Sequence, residues 1–294
     1  MIYNRSKVFF TPEISSKSLI NIYKSLEFQC SGKTAIKIHS GENNTSFYLN
    51  PFFIDSLVKH LNATIIDANT PYGRNRNITQ AHYQSMKRHG FVDIAPCDIL
   101  DEDGSKEINV PNGKRIMTNY IGSHLLNYKS VVILNHFKGH NTAGYGGVLK
   151  DLSIGLASKE GKCWIHTAGH SLTDTNFPTN PKHFMESMAD AAKSMQLLDI
   201  KFAYVSVLNN LSADGDGSLL QQPPELPDIG IMASLDPVAL EQACIDKVKY
   251  VSKQFCKTNC NLIKKINKLN GEYLITAAVE QKVGANVYEL INVV

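Results

Sequence analysis

Apolar runs alternate with segments of helical spacing along the first ninety residues. "KTAIKIHSG" and "ATIIDANTP" are short apolar runs that end in polar or turn residues, and "PFFIDSLVKHLN" between them has a helical pattern. This order predicts a β-α-β unit, which implies parallel strands. "NITQAHYQSMKRHGF" follows with helical spacing, and we predict that Gly90 ends that helix.

The second half continues the alternation. "YKSVVILNHF", "KFAYVSVLNN" and "DIGIMASLD" predict buried strands, and the last leads through Pro237 into a long helix. Between the halves, "DILDEDGSKEINVPNGKRI" has two short polar strands around Asp-Gly and Asn-Gly turns, which is typical of an excursion from a sheet. We predict an α/β protein with a mainly parallel sheet and flanking helices. We expect two interdependent lobes, residues 1–127 and 128–294, with the second carrying the motif described below.

Composition narrows the classes of partner. The chain has 294 residues, of which 43% are hydrophobic and 19% charged, as in ordinary globular proteins. A net charge of +3 does not indicate nucleic-acid binding. The sequence contains neither an apolar run long enough to span a membrane nor the features of a signal peptide. We therefore expect a cytoplasmic protein that binds a small anionic ligand but neither nucleic acid nor membrane, and homo-oligomerisation stays open.

The cysteines do not form a metal-binding pattern. The six cysteines include no C-x-x-C pair, so neither a zinc ribbon nor an iron–sulfur cluster is predicted from their spacing. We expect the thiols to be reduced and mostly buried. Cys256 and Cys260 have helical i, i+4 spacing and could bind a metal, but packing or solvent-facing positions explain them better.

A glycine-rich segment with three histidines, "NHFKGHNTAGYGGVLKDLSIGLASKEGKCWIH", follows the strand that begins the second lobe. Gly144, Gly146 and Gly147 would let backbone N–H groups approach an anion, and Lys150 would add a positive charge. The segment matches neither G-x-x-x-x-G-K-[ST] nor G-x-G-x-x-G. We predict a loop that binds an anionic cofactor or substrate, and a purely structural glycine turn is the alternative.

His136, His140 and His166 flank this loop. Imidazole binds borderline metals such as nickel or zinc and exchanges protons near pH 7. A lone histidine is usually a satisfied polar residue, but three histidines beside one glycine loop and a lysine favour a site. We predict that the segment combines proton transfer, anion binding and metal ligation, with His136 as a further candidate metal ligand.

Polar residues after two earlier strands supply candidate substrate contacts. Asp67, Arg74 and Arg76 follow one strand, and His39 ends another. Arginine can grip a carboxylate or phosphate through two hydrogen bonds. We predict that these four residues bind substrate at the same cleft, and the alternatives are surface or capping roles.

Two aspartate patterns have simpler explanations. Asp214 and Asp216 resemble part of a calcium loop, but the spaced ligands and final glutamate are missing, so a solvated turn is favoured. Asp236 precedes Pro237 and is predicted to cap a helix rather than to catalyse a reaction.

The central pattern HFKGH-x3-GYGG-x2-K-x4-G-x5-GK-x3-H resembles an uncharacterised iron–sulfur-centre protein family, domain of unknown function 362. "IDANTPYGRNRNITQAHYQSMKRHGF" and "PDIGIMASLDPVALEQACID" resemble further blocks of that family, so the resemblance covers most of the chain. Many relatives carry ferredoxin-like cysteine clusters. This chain reads "TAGHSLTDTNFPTNPKHF" and "NNLSADGDGS" at the corresponding places, without cysteine. An iron–sulfur cluster is therefore not expected here.

"HNTAGYGGVLK" followed by His166 is also similar to the core motif of nickel-dependent lactate racemases. That resemblance implies that His140 transfers a proton, that Lys150 attaches a nickel-pincer nucleotide and that His166 ligates nickel. "TPYGRNR" lacks the histidine that the racemases place beside an arginine and proline.

The resemblance implies a cofactor- or metal-dependent enzyme for a small carboxylate- or phosphate-bearing molecule, with a nickel-containing or phosphate-bearing cofactor. Lyase, isomerase and oxidoreductase chemistry stay open. The alternatives are a non-catalytic metal- or nucleotide-binding sensor or carrier, and a fold kept for protein interactions.

Overall fold

The computed structural model describes residues 5–42, 47–73, 75–175, 180–214, 223–256 and 259–293. The strands are β1 Ser6–Thr11, β2 Thr34–Lys37, β3 Thr64–Asp67, β4 Cys97–Ile99, β5 Ser105–Asn109, β6 Thr118–Gly122, β7 Ser130–His136, β8 Lys138–His140, β9 Gly144–Gly146, β10 Lys201–Leu208, β11 Gly230–Ser234 and β12 Tyr288–Asn292. The helices are α1 Ser16–Ser25, α2 Pro51–Leu61, α3 Thr79–Arg88, α4 Val148–Lys150, α5 Lys159–His166, α6 Pro181–Met195, α7 Pro237–Phe255, α8 Asn261–Lys268 and α9 Tyr273–Glu280.

Eight strands form one sheet in the order β12-β1-β11-β10-β7-β2-β3-β4. All neighbours in it are parallel except β11, which is antiparallel to both β1 and β10. The predicted α/β fold with a mainly parallel sheet is confirmed. The sheet takes strands from both sides of residue 128, and the division into two lobes stays a prediction.

The polar excursion predicted between the halves is a separate antiparallel pair of strands, β5 and β6. None of the helices in the described ranges is both long and apolar enough to cross a membrane.

Strand β7 shows why the sheet forms, because all seven of its residues are buried. Val131 and Ile133 belong to one hydrophobic cluster, which includes residues of α6, α7 and α9. Val132 and Leu134 belong to a second cluster, which includes residues of α1 and α2. Successive side chains of a strand point to opposite faces, so a strand covered by helices on both faces reads as a continuous apolar run.

Two helices begin or end at the residues that the sequence predicts. Asp236 Oδ1 accepts hydrogen bonds from the backbone N–H groups of Val238 and Ala239, which confirms its role as the cap of α7. Gly90 follows α3 with φ +86°, a left-handed conformation that favours glycine at the end of a helix.

Three neighbouring parallel strands bring polar residues together. Lys37, Asp67 and His136 are the last residues of β2, β3 and β7, which lie side by side in the sheet. Ligands of open parallel sheets bind beyond the carboxyl ends of such strands. The fold therefore places a candidate site at this edge.

Candidate functional site

A cavity of about 340 Å³ lies at the carboxyl ends of β2, β3 and β7. Its charged lining residues are Lys37, Glu42, Asp67, Arg76, Lys138, Lys150, Asp151 and Lys162, five cationic and three anionic. His39, His136, His140, His166 and Gly146 also line it. The structure thus brings together most of the site residues predicted from the sequence. Arg74 lies outside the described residues.

One side of the cavity, which we call the carboxylate wall, consists of Lys37, Glu42, Asp67 and Arg76. Asp67 is its centre, with Lys37 Nζ 3.3 Å from Oδ1 and Arg76 Nη1 3.2 Å from Oδ2. The backbone N–H and the hydroxyl of Ser40 also donate to Oδ2, at 3.0 and 2.7 Å. Burial alone would raise the pKa of Asp67, but Lys37, His82 and Arg76 hold that pKa well below its ordinary value. Asp67 is therefore a permanent anion rather than a proton acceptor.

Arg76 is held by its neighbours on this wall. Its Nε donates to Glu42 Oε1 at 2.9 Å, and its Nη2 lies 3.0 Å from His39 Nε2. Each of the three guanidinium nitrogens thus contacts a protein group. Burial and the adjacent Arg76 keep the pKa of His39 well below its ordinary value. The substrate-binding roles predicted for Asp67, Arg76 and His39 stay predictions, since the observed contacts join these residues to one another.

A second group of lining residues, which we call the lysine wall, consists of Lys138, His140, Lys150, Lys162 and His166. Burial lowers the pKa of Lys138, of Lys150 and of Lys162, the last to about 8. Lys162 Nζ donates to the carbonyl oxygen of Ala157 at 2.5 Å. The ammonium groups of these lysines are thus buried away from water, and a bound anion would stabilise their charged forms.

Lys150 differs from the other lysines of the cavity. No hydrogen bond or ion pair joins its amine to a residue in the described ranges, although it lines the cavity. The next residue, Asp151, is held instead by Asn135, whose Nδ2 donates to Oδ2 at 2.8 Å. A lowered pKa brings the neutral, nucleophilic form of an amine within reach at a lower pH than for an ordinary lysine. Lys150 is the side chain here best suited to react with or hold a ligand.

The three glycines serve different purposes. Gly144 has φ +82°, and an added Cβ would lie 3.1 Å from Ile266 Cα. At Gly147 an added Cβ would lie 2.3 Å from Glu241 Oε2. Only at Gly146 would it meet ordinary contact, with Lys150 Cδ at 3.6 Å. Packing against α8 and α7 therefore explains Gly144 and Gly147, while Gly146 alone of the three lines the cavity.

Glu241 fixes the start of the helix that carries Lys150. Its Oε2 accepts a hydrogen bond from the backbone N–H of Leu149 at 3.3 Å. Burial raises the pKa of Glu241 to about 8, so this carboxyl is mostly neutral near pH 7. Glu241 was not predicted from the sequence, because it lies on α7, about ninety residues after the glycines, and only the fold brings it to them.

The remaining histidines differ in what their nitrogens contact. His136 Nε2 lies 2.8 Å from the Asn209 carbonyl oxygen, and its Nδ1 lies 2.9 Å from Lys138 Nζ. A metal at His136 would have to displace one of these bonds. His166 Nδ1 lies 2.7 Å from the Lys162 carbonyl oxygen, and its ring stacks on Phe184. Burial lowers the pKa of both imidazoles to about 3, so both are neutral.

A metal ion would need ligands beyond the protein's own side chains. Within the described residues, no group of three or more histidine, cysteine, aspartate or glutamate side chains could hold a metal. His166 Nε2 could bind a metal in place of its contact with the Tyr72 hydroxyl at 3.5 Å, and the rest of the coordination would have to come from a cofactor. Asp214 is paired with Lys265 at 2.7 Å, while Asp216 lies outside the described residues.

Several residues of the cavity were not predicted from the sequence. Lys37, Lys138 and Lys162 were not singled out as site residues, and neither was Asp151. Lys37 had a usable signal, since it is the one charge in the apolar run "AIKIH". A lysine inside a buried strand requires a partner, and that partner is Asp67 on the next strand.

The chain is similar to two solved structures and to one family of proteins. A search of curated proteins gives no match. Among solved structures, lactate racemase apoprotein from Thermoanaerobacterium thermosaccharolyticum is 15% identical, with a TM-score of 0.47, and the match covers 84% of this chain and 57% of that one. A protein from Thermotoga maritima is 13% identical, with a TM-score of 0.50, and the match covers 82% of this chain and 60% of that one.

The chain thus spans about three fifths of the length of both proteins, and identity this low bears on the fold alone. The family model described as "Domain of unknown function (DUF362)" matches residues 34–246. That range exceeds half of the chain and includes the whole cavity lining, so the protein belongs to the DUF362 family, as the sequence motifs predicted.

Proposed function

We propose that the protein is a cofactor-dependent enzyme for a small carboxylate- or phosphate-bearing molecule and that the cavity between the two walls is its active site. The observation that carries this proposal is the amine of Lys150. It lines the cavity with a lowered pKa and without a hydrogen-bonding or ionic partner in the described ranges. His140 and His166 line the same cavity.

The charge of the cavity supports an anionic ligand. Five cationic and three anionic lining residues leave an excess of two positive charges when all are ionised. On the carboxylate wall, Asp67 and Glu42 pair with Lys37 and Arg76, so the two negative and two positive charges of that wall balance. The excess therefore belongs to the lysine wall, where a carboxylate or phosphate would interact with several ammonium groups.

In this proposal each group of the lysine wall has one task. Lys150 attaches or binds the cofactor, His166 offers Nε2 to a metal, and His140 acts on a proton or an oxygen atom of the substrate. Asp67 and Arg76 keep the carboxylate wall rigid. A nickel-pincer nucleotide fits this donor set, since one amine could attach it and one imidazole nitrogen could ligate its metal. When bound, such a group would supply an electrophilic metal centre.

Mass spectrometry with elemental analysis tests the proposal. The purified protein is measured under native and denaturing conditions, beside Lys150→Met and, as a matched control, Lys201→Met at an exposed lysine on β10. We expect an added mass on the peptide that contains Lys150, or bound nickel, in the wild type and in Lys201→Met but not in Lys150→Met. A cavity that binds neither anion nor metal under any growth condition would overturn the proposal.

A carrier or sensor is the second candidate function, and the state of Asp67 favours it. Neighbouring cations hold the pKa of this carboxylate well below its ordinary value, so Asp67 is a poor proton acceptor for a reaction. A protein with this function would release its ligand unmodified on denaturation, and His140→Gln would leave the bound ligand chemically unchanged.

A further inference from the structure

His140 and His166 line the same cavity, but their Nδ1 atoms contact opposite kinds of group. His140 Nδ1 accepts hydrogen bonds from the backbone N–H groups of Thr142 and Ala143, at 3.4 and 3.2 Å. The Thr142 hydroxyl lies 3.1 Å from the same nitrogen. A backbone N–H can only donate, so Nδ1 of His140 must present its lone pair.

The proton of the neutral His140 ring is therefore on Nε2. Burial holds the pKa of His140 well below its ordinary value, and Lys150 and His166 lower it further, so the ring is neutral near pH 7. With the proton on Nδ1, that N–H would point at the backbone N–H groups of Thr142 and Ala143, and both hydrogen bonds would be lost. No described residue forms a hydrogen bond with Nε2, and the ring lines the cavity.

His166 has the opposite arrangement. Its Nδ1 lies 2.7 Å from the Lys162 carbonyl oxygen, which can only accept, so Nδ1 carries the proton. The lone pair is then on Nε2, 3.5 Å from the hydroxyl oxygen of Tyr72. A ligand in the cavity would thus meet a hydrogen-bond donor at His140 Nε2 and an acceptor at His166 Nε2.

We propose that His140 is fixed as a hydrogen-bond donor through Nε2–H and that an oxygen atom of the ligand, from a carbonyl, carboxylate or phosphate group, binds to it. Lys150 supplies positive charge beside that oxygen. The identity of the ligand rests on the proposed function, whereas the tautomer rests on the contacts of His140 alone.

This assignment changes the role expected for His140. A histidine that already carries a proton on Nε2 cannot remove one from a ligand with that atom. It can instead polarise an oxygen and stabilise negative charge that develops there, as neutral imidazole does in other active sites. The proton stays on Nε2 and no covalent bond is made or broken. If the reaction needs a base, another group supplies it.

Nuclear magnetic resonance of the imidazole nitrogens tests the tautomers directly. The protein is labelled with 15N-histidine, long-range 1H–15N correlations are recorded at pH 7, and His140→Gln and His166→Gln identify the two rings among the ten histidines. We expect a protonated Nε2 and a bare Nδ1 for His140, and the reverse for His166.

His124 is an internal reference for a ring with a raised pKa, because both of its nitrogens lie beside carboxylates. Its two nitrogens lie 2.7 Å from Asp98 and 2.8 Å from Asp103, and hydrogen bonds to those carboxylates raise its pKa. A His140 spectrum at pH 7 with Nδ1 protonated, alone or together with Nε2, would overturn the proposal.

Inorganic phosphate then probes the ligand. We expect added phosphate to shift the Nε2 resonance of His140. His140→Gln keeps an N–H donor and should bind phosphate within a few-fold of the wild type, whereas His140→Ala should bind about tenfold more weakly. Phosphate that binds without any change at His140 would overturn the ligand half of the proposal. Correct tautomers without phosphate binding would count against the anion site in the proposed function and leave the tautomer assignment intact.

Discussion

The two walls of the cavity are built from similar residue types but handle charge in different ways. On the carboxylate wall, Lys37 and Arg76 are paired with Asp67 and Glu42 at 2.9 to 3.3 Å. On the lysine wall, burial lowers the pKa of Lys138, Lys150 and Lys162, and among the described residues no carboxylate forms an ion pair with the amine of Lys150. Paired charges hold a wall in place, whereas a buried amine without a counter-ion among the described residues, such as that of Lys150, can interact with a ligand.

The largest predicted effect comes from breaking the carboxylate wall. Asp67→Asn leaves Lys37 without its nearest carboxylate and removes one of the two that pair with Arg76. Both cations are buried, so we expect the free energy of unfolding to fall by about 3–5 kcal/mol. Urea unfolding followed by circular dichroism measures this loss. Asp199→Asn, which removes the exposed partner of Lys129, is the matched control and should leave stability close to wild type.

Acid titration sharpens the same prediction. The folded pKa of Asp67 lies below its unfolded value of about 3.9. Its contribution to stability is therefore present above that value and is lost as the pH falls through the folded pKa. The wild type should lose stability on acidification more steeply than Asp67→Asn. Equal acid sensitivity of the two proteins would contradict the central position of Asp67.

An intermediate effect is expected where α7 contacts the glycine segment. In Gly147→Ala the new Cβ would lie 2.3 Å from the buried carboxyl of Glu241, which must move away from Leu149. We expect a loss of about 1–3 kcal/mol in the free energy of unfolding. Gly146→Ala meets only ordinary contact at 3.6 Å and is the matched control. Equal stability of the two variants would show that packing against Glu241 does not explain Gly147.

A smaller effect concerns the pH dependence of anion binding. The pKa of Lys162 is about 8 in the free protein, and a bound anion should raise it. Binding then takes up a proton, so phosphate affinity should fall as the pH rises through about 8. Calorimetric titrations in two buffers of different ionisation enthalpy measure the uptake. Lys162→Met should reduce both the uptake and the pH dependence, and an unchanged profile would show that Lys162 does not respond to the ligand.

The sheet could be predicted from the sequence, because the spacing of apolar residues and their number in each run determine where strands and helices form. β7 and β10 appear as apolar runs, and Asp236 and Gly90 end or begin helices through local contacts. The central motif also contains three histidines and one lysine that line one cavity, and their roles stay predictions. These features depend on neighbours within a few residues, so they can be recognised without the fold.

Other features depend on contacts between distant segments. Lys37 and Asp67 pair because β2 and β3 are parallel neighbours. Gly147 must be glycine because Glu241 of α7 lies against it. The tautomer proposed for His140 is a different case, because it depends on how a local turn places the backbone N–H groups of Thr142 and Ala143 beside Nδ1. Neither hydrophobic periodicity nor motif spacing carries this information.

Chemical labelling of Lys150 tests the central claim, a reactive amine in an anion-binding cavity, most directly. Pyridoxal phosphate is an aldehyde with a phosphate group, and borohydride reduction fixes its adduct for peptide mass spectrometry. The account predicts that Lys150 is modified before exposed lysines such as Lys201 and that inorganic phosphate protects it. Modification of exposed lysines while Lys150 stays unmodified, or labelling of Lys150 that phosphate does not slow, would contradict the account.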